Sequence, residues 1–168
     1  MTTQSADETA KMLPNPGAAA ATLDLRDRAR LFDLGDEDLA VGRELWAIFE
    51  PHARSISETV WAQWGRFYGK DRFLDADYER IVELGIQYQK NRMTDPLNPA
   101  WVESAERTVA GAFTAGVSLT AILSMTQAAG RQMLEIVSSL SGLDKAKEAR
   151  LLDILYRFRS FECDIYAA

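Results

Sequence analysis

The chain has 168 residues, 47% of them hydrophobic and 26% charged, enough for one domain with a sizeable core. A formal net charge of -6 argues against a nucleic-acid-binding face and against docking to anionic lipid. One cysteine, Cys163, and one histidine, His52, leave no internal disulfide, no cysteine-based metal cluster and no histidine-rich metal site.

Residues 1–21 carry Pro14, Asn15, Pro16 and Gly17 but few large apolar side chains, so a disordered tail is expected there, with one domain over 22–168. The tail lacks the basic start and apolar stretch of a secretory signal. No apolar run reaches the ~20 residues of a membrane-spanning helix. A cytoplasmic protein is expected, with neither nucleic acid nor membrane as a partner.

Leu23, Leu25, Ala29, Leu31 and Phe32 predict a short first helix, stopped by Gly35, with Asp36 as the N-cap of the next. The second helix carries Leu39, Leu45, Trp46, Ile48 and Phe49 up to Pro51. A third runs to about Tyr68, with Ile56, Val60, Trp64, Phe67 and Tyr68 on its inner face at spacings of three and four. A fourth spans roughly Asp77 to Met93. The two prolines of the Thr94–Pro99 stretch forbid its continuation. Asn98 followed by Pro99 is a cap and first-turn pair for a fifth helix reaching Ala115, ended by Gly116. Ser118 caps a sixth helix bearing Leu119, Ile122, Ala129, Met133, Ile136 and Leu140. Asp144 caps the seventh, which carries Leu151, Leu155, Phe158 and Ile165 on one stripe and Ile154, Phe161 and again Ile165 on its partner stripe. Strict two-residue alternation is absent, so the fold class is all-α. The last helix meets the chain end without a stop signal, which predicts a truncation from a longer protein.

The residues offer little chemistry. A nucleophile–histidine–acid set has only His52 as its base, and that residue follows Pro51 in a helix's first turn. Cys163 lies between Glu162 and Asp164, whose charges make it a poor nucleophile. Gly111 and Gly116 follow no strand, so no phosphate loop forms. The acidic run Asp36, Glu37, Asp38 suits a helix start. Trp46, Trp61, Trp64 and Trp101 read as core or interface anchors. The protein is not expected to be an enzyme.

Three stretches carry a family likeness. The first is RLFDLGDEDLAVGRELWAIFEPHARSISETVWAQWGRFYG, residues 30–69; the second is WVESAERTVAGAFTAGVSL, residues 101–119; the third is the pair of long C-terminal helices. In this order they resemble the sensor domain of globin-coupled sensors, the family of haem-based aerotaxis transducers and globin-linked diguanylate cyclases. The resemblance implies a globin-like fold with a short extra N-terminal helix. It also implies two long C-terminal helices that form a four-helix bundle in a homodimer. Haem-binding members place a histidine four residues before a Gly-Val or Gly-Leu, in a frame that Arg107, Val109, Gly116 and Val117 match. Ala112 stands at that position and has no lone pair to offer iron.

The likeness therefore implies a haem-free sensory input domain of a bacterial chemoreceptor or cyclase. It would take an unknown small ligand and signal through its last helix into a downstream module of the same chain. No cofactor, metal or catalytic residue is expected. If a pocket persists, its expected lining is Tyr68, Trp64, Tyr88, Val109 and Phe113. The expected dimer interface is Leu119, Ile122, Met133, Leu151, Leu155, Phe158 and Ile165. One alternative is a haem-binding gas or redox sensor with an unusual axial ligand from His52, Met93, Tyr68 or Tyr88. Another is a plain dimerisation or interaction module.

Overall fold

A computed structural model describes residues 24–68 and 75–167, and among these there are helices and no strand. The expected tail over 1–21 lies outside the described residues. The helices are α1 (Leu25–Arg30), α2 (Asp36–Phe49), α3 (Ala53–Tyr68), α4 (Asp75–Thr94), α5 (Pro99–Thr114), α6 (Leu119–Ser139) and α7 (Lys145–Ala167). A 3-10 turn over Glu50–His52 joins α2 to α3, with Pro51 in its first turn, where a missing N–H costs nothing.

The caps follow from short polar side chains at helix starts. Asn98 Oδ1 accepts from Ala100 N–H at 2.9 Å, Ser118 Oγ from Ala121 N–H at 3.2 Å, and Asp144 Oδ1 from Lys147 N–H at 2.8 Å. Two expectations need correction. The first helix ends at Arg30, and the chain reverses through Asp33, whose φ of 56° is left-handed, before it reaches Gly35. Gly35, not Asp36, is the N-cap of α2, and its own N–H is held by Asp38 Oδ2 at 3.1 Å. The turns after α5 and α6 use Gly116 and Gly142 at φ of 79° and 87°, which only glycine adopts without strain.

Packing is set by which faces are apolar. Helix α3 lies along α6 and also against α4; α2 packs on α4 and α7; α7 is covered further by α5 and α6. The interior holds Leu34, Leu45, Phe49, Ile56, Met93 and Trp101, together with Met133 of α6 and Leu151, Leu155, Phe158 and Phe161 of α7. A Cβ on Gly42 would collide with the Met93 carbonyl and the Phe158 ring, so this glycine sets how closely α2 approaches α4 and α7. A polar seam ties α3 to α6: Thr59 Oγ1 donates to Gln132 Oε1 at 2.7 Å, and Gln132 Nε2 donates to Ser55 Oγ at 2.7 Å. Arg28 fastens α1 to α7 by donating from Nε and Nη2 to Asp164 Oδ2 at 3.0 and 2.7 Å.

The residues expected to form a dimer interface mostly face the other way. Ile122, Met133, Leu151, Leu155, Phe158 and Ile165 are buried within the chain, and Leu119 is half-buried. The stripe read as a second, outward face is the one that closes the core, because α7 is covered by α2, α5 and α6 at once. No helix among the described residues is long and apolar enough to cross a membrane.

Candidate functional site

Five helices, α3 to α7, line a partly open cavity of about 340 Å³, at the small end of the range for ligand pockets. Its walls are apolar. Val60, Trp61 and Trp64 come from α3, Ile81 and Leu84 from α4, Val109 and Ala112 from α5, and Ile122, Met125 and Ala129 from α6. The Trp61 and Trp64 rings meet edge-on with centroids 6.0 Å apart.

One region of the wall is polar and buried. It consists of Tyr88, Gln89 and Arg92 of α4 facing Glu162 and Tyr166 of α7. Arg92 Nη1 donates to Glu162 Oε2, and the two side chains are 4% and 2% exposed. Arg92 Nη2 lies 3.5 Å from Met133 Sδ. Tyr88 and Tyr166 reach Glu162 Oε1 at 2.9 and 3.0 Å, and their hydroxyl oxygens are 2.6 Å apart. That triangle has three edges and only two hydroxyl protons, so one edge is always without a proton.

The electrostatics follow from burial. Tyr88 and Tyr166 are both held well above the usual tyrosine pKa, first by burial and next by the negative charge on Glu162. Burial, the largest influence, would lower the pKa of Arg92, but the Glu162 carboxylate together with Tyr88 and Tyr166 more than offsets it, so Arg92 is raised and stays charged. Arg92 Nε and Gln89 Oε1 find no hydrogen-bond partner.

Trp64, Tyr88 and Val109, expected to line a pocket, do line this cavity, and Ala112 stands in the same wall. Phe113, expected with them, is a correction: it is 47% exposed, one residue round the helix from Ala112 and so on another face of α5. The side chain of Tyr68 lies outside the described residues. His52 is exposed in the 3-10 turn, and Met93 is fully buried in the core away from the cavity. Tyr88 of the expected axial ligands lines the cavity, as do Met125 and Tyr166, which have no part in that set.

Sequence reasoning missed Arg92, Gln89, Glu162 and Tyr166. A signal existed for two of them. Glu162 lies four residues after Phe158 and three before Ile165, on the stripe of α7 that is otherwise apolar. Gln89 lies seven after Val82, on the buried side of α4. A charge or amide on an apolar stripe marks a buried polar site.

Burial and then the neighbouring Glu162 charge push the Cys163 thiol pKa up, which makes it a poor nucleophile. Among the described residues no group of three or more histidine, cysteine, aspartate or glutamate side chains is placed to hold a metal ion. No family model, curated protein or solved structure matches the chain.

Proposed function

We propose that the chain is a haem-free, globin-type sensory input domain of a cytoplasmic signalling protein, with the cavity between α3 and α7 as its ligand site. Among the described residues a short helix precedes longer ones, and these pack pairwise around a partly open cavity, an arrangement in keeping with the globin type. The observation that carries the reading is the origin of the cavity's polar wall. Its carboxylate and one of its tyrosines, Glu162 and Tyr166, belong to the last helix. A ligand that touches them biases the position of α7 directly, and a small helix shift is an established way to transmit a signal. In this reading the output module, of chemoreceptor or cyclase kind, follows α7.

The residues around the cavity fit a haem poorly. Ala112 provides no ligand, His52 is exposed, and Met93 is in the core. Tyr88 and Tyr166 are held protonated, which opposes a tyrosinate ligand. Among the described lining residues Met125 offers a thioether with no imidazole opposite it. A homodimer through α6 and α7 would use outward residues such as Leu134, Leu140 and Tyr156, which are exposed, and leave the buried stripe in the core.

The test uses a neutral apolar fluorophore, N-phenyl-1-naphthylamine, with haemin titrated in parallel. Saturable, blue-shifted 1:1 binding of the fluorophore, abolished by Ala112→Trp in a variant of unchanged helicity, is the expected result. A Soret band typical of axially ligated haem would transfer the site to the haem-sensor reading. Absence of any fluorophore binding would favour a plain interaction module instead.

A further inference from the structure

The described lining of the cavity holds two ionised side chains, Arg92 and Glu162, and they neutralise each other. At 4% and 2% exposed, both are turned into the protein. Glu162 Oε2 accepts from Arg92 Nη1, and the hydroxyls of Tyr88 and Tyr166 converge on Oε1. Burial and the Glu162 charge keep both tyrosines protonated, so they add no charge of their own. The wall is therefore neutral, and its carboxylate is already engaged at both oxygens.

Five of the six hydroxyls in the described lining direct their protons at the protein. Ser57 Oγ donates to the Val82 carbonyl at 2.8 Å, Thr108 Oγ1 to that of Ser104 at 2.8 Å, and Thr126 Oγ1 to that of Leu123 at 2.9 Å. Tyr88 and Tyr166 use theirs within the triangle with Glu162. Hydroxyls so engaged have no proton left for a carboxylate or a phosphate. The opening is uncharged as well. Leu84 of α4, 56% exposed, and Thr108 of α5, also exposed, mark its solvent side, and no charged side chain of the described lining is exposed. An ion entering this space loses water and gains neither a counter-charge nor these donors, which is the costly case for a charged group.

The accessible wall is rich in ring surface. Trp61 and Trp64 of α3, Tyr88 of α4 and Tyr166 of α7 line the cavity and are only half-buried. The small residues Gly85, Ala112 and Ala129 of the same lining leave the volume unfilled. A flat aromatic molecule meets rings from three helices there, and ring–ring contacts favour it beyond its apolar area.

We propose that the cavity takes a compact, uncharged aromatic molecule and discriminates against the same ring system carrying a full charge of either sign. The inference rests on the reading of the cavity as a ligand site, and its test separates the two.

The full chain is loaded with N-phenyl-1-naphthylamine at neutral pH, and the fluorophore is displaced in parallel by 2-naphthol, 2-naphthoate, 2-naphthylmethylammonium and decahydro-2-naphthol. The neutral phenol is expected to bind about tenfold or more tighter than either ion. It is also expected to bind about threefold or more tighter than the saturated alcohol, although that alcohol is no less apolar. Two variants tie these preferences to the wall. Leu84→Lys brings a cation to the exposed rim without touching the core, and should improve naphthoate relative to naphthol by about threefold. Trp64→Leu keeps an apolar side chain, and should bring naphthol and its saturated counterpart to within about twofold. Helicity and the urea midpoint check that both variants fold. A parent protein that binds the fluorophore yet takes either ion as well as the phenol, or the saturated alcohol as well as the aromatic one, overturns this proposal and leaves the cavity reading intact. A naphthoate ratio unmoved by Leu84→Lys also overturns it, and so does a ring preference that survives Trp64→Leu. Failure of the fluorophore itself to bind removes both.

Discussion

The pair formed by Arg92 and Glu162 gives the sharpest stability test, because both ends are withdrawn from water. The side chains are 4% and 2% exposed, and they join α4 to α7 across 70 residues of sequence. Removing one partner strands the other as a buried charge, at a cost of about 3–5 kcal/mol. For a domain of this size that is a fall of roughly 6–20 °C in midpoint temperature, at about 2–4 °C per kcal/mol. Glu162→Gln also withdraws the anion on which two tyrosine hydroxyls converge, so it belongs at the upper end. Removing both ends through Arg92→Met and Glu162→Gln together should cost less than the sum of the two single losses, since no charge is then left alone. Urea unfolding followed by circular dichroism measures all four proteins. A coupling energy within about 0.5 kcal/mol of zero, the additive limit, would refute the reasoning. The exposed pair of Arg54 and Glu79, 2.8 Å apart, is the internal control, and its removal should leave the urea midpoint where it was.

Three further outcomes follow from individual contacts. Gly130→Ala, which in an open helix would stabilise by about 1 kcal/mol, should here destabilise by about 1–3 kcal/mol, because the methyl group competes with the Arg159 guanidinium; a stabilised variant in urea would contradict that seat. Tyr88 and Tyr166 have folded pKa values raised above the unfolded value of about 10, so the folded state holds protons that the unfolded state releases. Their contribution is therefore complete below pH 10 and lost as pH rises beyond it, and the urea midpoint should fall there while absorbance near 295 nm shows two phenols ionising only on unfolding. Phe158→Ala should cost about 3–5 kcal/mol by an amount independent of protein concentration, since the ring is 1% exposed within one chain; a loss that vanishes on dilution would return Phe158 to a subunit interface.

The helices themselves were legible in the residue order, because their causes are local. Apolar side chains at spacings of three and four, Asn98 before Pro99, Ser118 and Asp144 at helix starts, and glycines just beyond helix ends each act within one or two turns. Ala112 is singled out by the resemblance to globin-coupled sensors and not by periodicity, and Trp64, Tyr88 and Val109, named on the same resemblance, share the cavity wall with it. Phe113 shows where that logic weakens, since a shift of one residue, or about 100° around the helix, turns an apolar side chain from wall to surface.

What the tertiary structure alone decided is which apolar stripe meets which, and where charges meet. Met133, Leu155 and Phe158 could serve a core or a partner equally well by periodicity; only the covering of α7 by three neighbouring helices assigns them to the core. Arg92 reads alone as a solvated charge, and Glu162, though its place on an apolar stripe of α7 marks it as buried, names no partner. They become an interior ion pair because α4 and α7 cross there, and desolvation makes either charge untenable without the other. Helix formation is governed by neighbours along the chain, but the worth of a buried charge depends on what lies opposite it in space, and the residue order does not contain that distance.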